Sequence, residues 1–148
     1  MGVRHEYFVL DNDEQGAALL EPFDDGILGV EAATELVSLE ALLLGLQPLL
    51  ESTLTLMDRP DHAVTIATDA DDPAEVSTVI TKVADHTTAL IAQATPEQLA
   101  AAMQPWSETE EFAGYVSAQD LAEMIDGLMP LFRQAVTHGR RIYVRTTC

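Results

Sequence analysis

Lysine occurs once in this 148-residue chain, cysteine once and tryptophan once, and each scarcity narrows what the protein can be. The lone cysteine, Cys148, excludes an intrachain disulfide, and nothing in its use points to an oxidising compartment. Aromatic residues make up 5% of the chain, so a core drawn from its 47% hydrophobic residues must be packed by Leu, Ala, Val, Ile and Met. Long apolar runs are lacking too. The richest stretch, ELVSLEALLLGLQPLLESTLTLM, is interrupted by Glu40, Gly45, Pro48 and Glu51 before about 18 apolar residues accumulate, so no membrane span is predicted. The N-terminus MGVRHEYFVL has neither the apolar core of a signal peptide nor the Ser or Thr at the sixth position that N-myristoylation needs. A cytoplasmic location is the expectation.

Positive charge is the largest deficit. Seven bases against 25 acids give a formal charge of −18, which repels phosphate backbones and argues against direct nucleic-acid binding. Three explanations compete for the acidity: a solvated, highly soluble surface; recognition of a basic partner protein; and mimicry of nucleic acid toward a DNA- or RNA-binding protein.

What is present reads as one domain of 148 residues, a length that buries roughly two thirds of the surface its unfolded chain exposes. Val3 to Leu10 reads as a strand ended by the turn DND, followed by a short helix over DEQGAALLE with Pro22 after it. ILGVEA is a second extended piece. Thr34 is the predicted N-cap of a helix with Leu36, Leu39 and Leu43 on its apolar face, ended by Gly45. Residues 46–62 are ambiguous, because Gln47-Pro48 and Arg59-Pro60 break any regular element, and AVTIAT is the next strand.

Asp72, Pro73 and Glu75 make a helix-start signal, and the spacing of Val76, Val79, Ile80, Val83, Leu90, Ile91 and Ala94 predicts a helix through position 94 in spite of many β-branched residues. Thr95-Pro96-Glu97-Gln98 opens a short helix through Met103 that Pro105 ends. In PWSETEEF, Ser107 and Glu110 form another predicted capping box, Trp106 and Phe112 anchor a turn to the core, and Glu108 and Glu111 face water. Ser117 with Asp120 opens the last helix, with Leu121, Met124, Ile125, Leu128, Phe132 and Val136 on one side. Gly127 and Pro130 imply a kink or two successive helices. Gly139 stops it and RRIYVRTT is the final strand. The fold class is α+β: a small mixed or antiparallel sheet that includes the N- and C-terminal strands, packed against several helices.

Motifs that demand a particular chemistry are absent. His5, His62, His86 and His138 have no ligand partner at i+3 or i+4, and no calcium loop, G-x-S-x-G, Cys–His pair or glycine-rich phosphate loop occurs, so no catalytic residue, metal ligand or cofactor is predicted. Charge is uneven, however. Residues 138–148 carry +3, leaving −21 for the rest. Strand alternation sets Ile142 and Val144 on one face of the last strand and Arg141, Tyr143 and Arg145 on the other. With Arg4 of the first strand, that row is a candidate carboxylate or phosphate site, and Trp106 is a candidate pocket wall. The alternative is that the arginines neutralise neighbouring acids.

The MG start and EYFVL strand, the LEALLLG helix end, the segment DDPAEVSTVITKVADHTTALIAQATPEQLAAAM, the PW…EEF stretch and the close LFRQAVTHGRRIYVRTT together resemble the YfbM-like family of bacterial domains of unknown function. The resemblance covers most of the chain in order and pattern. It implies a bacterial cytosolic setting and no reaction. It also implies an aromatic and a histidine in the helix before the LLxG turn; ELVSLEALLLG has neither, so a site built on those residues is absent here. Charge and the lack of catalytic motifs favour a non-enzymatic protein that binds a basic partner through its acidic surface, as an inhibitor or toxin-neutralising protein does. The alternatives are a small-anion or small-molecule binder or enzyme with a pocket near Trp106 and the C-terminal arginines, a nucleic-acid mimic, and a purely structural homo-oligomer, such as a homodimer, suggested by the leucine-rich stretch from 36 to 56.

Overall fold

The computed structural model describes residues 3–21, 25–46, 55–59, 62–110, 112 and 114–148. Its centre is a five-stranded antiparallel sheet in the order β2-β1-β5-β4-β3. The strands are β1 (Arg4–Leu10), β2 (Ile27–Leu28), β3 (Val64–Thr68), β4 (Thr78–Lys82) and β5 (Arg141–Thr147). The two terminal strands lie side by side, Arg4 opposite Thr147 and Leu10 opposite Arg141. On β5's other side, β4 pairs from Thr78 opposite Thr147 to Lys82 opposite Tyr143. β3 is an edge strand, irregular between Thr65 and Ala67, and such an irregularity discourages pairing with another chain.

Helices cover both faces unequally. The apolar face carries α2 (Glu35–Leu43), α3 (Asp85–Gln93), α4 (Pro96–Ser107) and α5 (Ala118–His138). Leu36 and Leu39 of α2, Ile91 of α3, Leu99, Met103 and Trp106 of α4, and Leu121, Leu128 and Phe132 of α5 join Tyr7, Ile142 and Val144 of the sheet in one core. Each large side chain so buried contributes about 2 kcal/mol of transfer free energy. The opposite face is covered near β3, β4 and β5 by α1 (Asp13–Ala17) and the 3-10 turn Ala18–Leu20. Gly16 allows this close approach: a Cβ there would lie 2.6 Å from Ile66 Cδ1 and 2.7 Å from Tyr143 Cδ1.

Local signals account for most boundaries. Asn12 accepts from the Gln15 N–H at the start of α1, and Thr95 with Gln98 and Ser117 with Asp120 form reciprocal capping boxes for α4 and α5. Gly139 ends α5 in the left-handed conformation at φ 65°. α5 is one continuous helix of 21 residues with Pro130 inside it, where Gly127 and Pro130 pointed to a kink or a break. Pro130 is exposed, and so is Asp126 four residues before it, whose carbonyl loses its helical donor to the proline.

The predicted helix over 73–94 is corrected. Pro73–Glu75 is a single 3-10 turn, Thr78–Lys82 is strand β4, and only Asp85–Gln93 is α-helical. The start signal is physically present, since Asp72 accepts from the Ala74 N–H, but it closes the β3–β4 hairpin instead of launching a helix. Asp69 finishes that hairpin by accepting from both the amide and the hydroxyl of Ser77. Val79, Ile80 and Thr81 are β-branched, and propensity supported by pairing to both β3 and β5 outweighs the helical spacing.

α4 is likewise longer than predicted, running through Pro105 to Ser107. The Ser107 hydroxyl donates back to the Gln104 carbonyl at 2.7 Å, so this serine closes a helix and is not the N-cap of a new one. Of residues 46–62, positions 55–57 are helical. Pro48 and Glu111 lie outside the described residues. Among the described residues no helix is long and apolar enough to cross a membrane.

Candidate functional site

Strand alternation sends Tyr143 and Arg145 to the face of β5 opposite Ile142 and Val144. That face is not open. Arg145 Nε and Nη2 donate to Glu6 Oε1 at 3.2 and 3.1 Å, and Nη1 donates to the Leu19 carbonyl at 3.1 Å. The guanidinium carbon also sits 5.0 Å from the Phe8 ring centroid, a favourable cation–π contact. Glu6 Oε2 accepts from the Gly26 N–H at 3.0 Å and lies 3.6 Å from Arg4 Nη2. The Glu6 and Arg145 side chains are each 5% exposed, so this pair is sealed under the 3-10 turn.

The neighbouring hydroxyl is engaged as well. Tyr143 donates to Asp13 Oδ1 at 2.7 Å, and Lys82 Nζ lies 3.2 Å from the same carboxylate. Burial first, and then the bond to Asp13, push the Tyr143 hydroxyl far above its ordinary range, while the Tyr143 and Lys82 donors hold Asp13 below its own. Arg141 faces Asp85 at 3.6 Å and Arg140 faces Asp11 at 2.8 Å. The structure therefore gathers Arg4, Tyr143 and Arg145 around Glu6 and Asp13, with Arg141 beside them on the strand. What it assembles is a ladder of internal neutralisation, with Arg4 and Arg141 at its rims.

Trp106 is elsewhere. It belongs to the core on the helix side of the sheet, fully buried, with its indole N–H donating to the Glu35 carbonyl at 2.9 Å. Phe112 meets it edge-on with ring centroids 5.6 Å apart. Trp106 and the arginine row lie on opposite faces of the sheet. Beside the α4–α5 connection is an open hollow of about 510 Å³ whose lining residues include Ser107, Glu108, Thr109, Glu110 and Ser117.

A second polar centre was not anticipated. Glu40, in the middle of α2 and buried, receives both arms of Arg59 at 2.8 and 2.9 Å and the Thr87 hydroxyl at 2.7 Å, with His86 Nε2 4.0 Å from its other oxygen. Burial drives the Glu40 carboxyl upward, but Arg59 and Thr87 together outweigh it and hold the group below its usual range. Nearby, His62 Nε2 lies 3.1 Å from the Ala33 carbonyl, which can only accept, so that nitrogen carries the proton and Nδ1 is the bare one. Nδ1 is buried and has no hydrogen-bond partner among the described residues. Burial, with Arg59 adding to it, depresses the His62 pKa.

One signal for this centre was available in the sequence. Glu40 falls one residue from Leu39 and four from Leu36 and Leu44, inside an apolar stretch, and a carboxylate placed there must find a cation. Its partner, Arg59, comes from the stretch that has no readable periodicity. Among the described residues no group of three or more His, Cys, Asp or Glu is placed to hold a metal ion. No family model, curated protein or solved structure matches this chain.

Proposed function

We propose that the protein works by binding a basic partner protein through its acidic exterior, as a cytoplasmic bacterial inhibitor or immunity-type protein of YfbM-like character. The observation that carries this reading is where the cations go. Arg4 and Arg145 sit on Glu6, Arg59 on Glu40, Lys82 on Asp13, Arg140 on Asp11 and Arg141 on Asp85, so six of the seven cations engage five of the 25 acids. Against the chain's other 20 acids stands one further cation, Arg133. Exposed members of that surplus include Asp71, Asp72 and Glu75 on the β3–β4 hairpin and Glu108, Glu110, Asp120 and Glu123 around the α4–α5 connection.

A surface of one sign accelerates encounter with a surface of the other and suppresses wrong partners. A small-anion site at the terminal arginines is the weaker reading, because an incoming anion would have to displace Glu6 or Asp13, which are already in place. Immobilised full-length protein is the test, exposed to host lysate at about 0.1 M and about 1 M salt, where the screening length falls from about 10 to about 3 Å. A basic protein retained at the lower salt and released at the higher supports the reading, and a nucleic-acid-binding protein in that role would specify mimicry. Retention of nothing at either salt sinks it.

A further inference from the structure

The one arginine outside the internal pairing lies on α5, two turns from an aspartate in the same position. Asp126 and Arg133 are both exposed, and neither makes an ion pair among the described residues. Seven residues bring a helix round by two turns to within about 20°, with about 10.5 Å of rise, so the two charges leave one face of α5 too far apart to pair with each other. Met129 and the exposed Pro130 stand between them. Both charges border a groove of about 470 Å³ between α4 and α5, whose other walls include Pro96, Ala100, Met103 and Met129.

We propose that this face is a homodimer interface, in which a second copy lays its α5 antiparallel against the first across a twofold axis beside Met129 and Pro130. The midpoint between positions 126 and 133 falls between those two residues. An antiparallel pair centred there sets Asp126 of one protomer against Arg133 of its partner, and the reverse contact follows from the symmetry. One residue pair is thus used twice, which is the signature of an isologous contact. Small groups at Pro96, Ala100 and Ala122 allow the helices to approach at the 8–10 Å typical of packed helices.

Electrostatics selects a copy of this chain over a different occupant. A second copy carries −18 as well, a repulsion that about 0.15 M salt screens beyond about 8 Å; within that range Arg133 opposes a uniformly basic partner and Asp126 a uniformly acidic one. The face carries one charge of each sign at equal distance from its centre, so its complement is itself. The groove floor is already largely covered, Met103 and Met129 being 4% exposed each, so the paired charges, more than newly buried apolar area, set the register.

The interface is independent of the acidic partner surface, and its test reads a different quantity. Sedimentation equilibrium of the full chain in about 0.15 M salt is expected to show a concentration-dependent dimer. Asp126→Arg and Arg133→Asp each set like charges against one another twice and should weaken self-association by about tenfold or more. Mixing the two variants should restore association, because each arginine of one then faces an aspartate of the other. The double variant, with the charges exchanged and the net charge kept, should dimerise like the wild type. A monomeric wild type, variants that still dimerise singly, or a mixture that stays monomeric overturns the proposal. Where a single variant fails to fold, the double variant decides: a dimer supports the interface and a monomer rejects it.

Discussion

Glu6 and Arg145 are register partners on β1 and β5 and are both withdrawn from water. Removing an ion from water costs several kcal/mol, which pairing offsets only when the remaining hydrogen bonds are also made. Here the Leu19 carbonyl and the Gly26 N–H supply them. Glu6→Gln removes the counter-charge of a buried guanidinium and is expected to lower the unfolding free energy by about 3 kcal/mol. Arg4 touches the same carboxylate from a side chain that is 53% exposed, so Arg4→Ala should cost no more than about 1 kcal/mol. Urea denaturation of both variants measures the contrast, and equal small losses would mean that the pair does not hold the sheet face closed.

Also at the residue scale, His5 and His62 both have pKa values depressed chiefly by burial. A histidine whose folded pKa lies below its unfolded 6.5 binds a proton more readily when unfolded, so its stability contribution is complete above about pH 6.5 and is lost as the pH falls toward the folded value. Stability should therefore decline on acidification from about pH 7 to about pH 5, with a slope of at most about 1.4 kcal/mol per pH unit for each histidine. His62→Gln should flatten that slope, as read by denaturation midpoints across the range. The loss at still lower pH, from the depressed carboxyls of Asp13, Glu40 and Asp69, should persist in the variant. An unchanged histidine-range slope would remove His62 from the account.

Among the elements, α1 decides what the arginine row becomes. Five residues of helix and a 3-10 turn lie over Tyr143 and Arg145, and Gly16 is the point of closest approach. Replacing a helical glycine by alanine normally gains about 1 kcal/mol from backbone entropy. At position 16 the added Cβ meets the Tyr143 ring at under 3 Å, and overpacking of this kind costs about 1–3 kcal/mol. The clash should win, so Gly16→Ala is expected to lower the melting temperature, a result opposite in sign to the propensity rule; a raised melting temperature would show that α1 shifts freely over the sheet.

The same element marks the limit of what the sequence discloses. Alternation placed Arg141, Tyr143 and Arg145 on one face, and the capping residues Thr95, Ser117 and Gly139 placed the start of α4 and both ends of α5. That a five-residue helix near the N-terminus would cover the row depends on a contact between positions 16 and 143, which no local pattern records. For β4 the local pattern was present but ambiguous. Val76, Val79, Ile80 and Val83 fit a helical stripe, and their β-branching was the better guide because two strands were waiting to pair with it. The Glu40–Arg59 centre was half visible, its acid flagged by leucine neighbours and its base arriving across 19 residues.

On the scale of the whole molecule, charge acts in two opposed ways. The surplus of acids repels itself, and a net charge of −18 destabilises the compact state by self-repulsion. The internal pairs attract, but Glu6–Arg145 and the acid of Glu40–Arg59 are buried, where salt screens little. Added salt therefore removes more repulsion than attraction. Raising sodium chloride from about 0.01 to about 0.5 M shortens the screening length from about 30 Å to a few ångströms, and the melting temperature is expected to rise by several degrees. The opposite response, a fall with salt, would mean that the exposed Asp13–Lys82, Asp11–Arg140 and Asp85–Arg141 pairs outweigh the surplus acids. Retention of a basic partner should weaken over the same range in which the isolated protein gains stability. These two opposite salt responses from one charge distribution separate an acidic surface used for binding from one that only keeps the protein dissolved, because the second yields the melting-temperature rise with nothing bound at low salt.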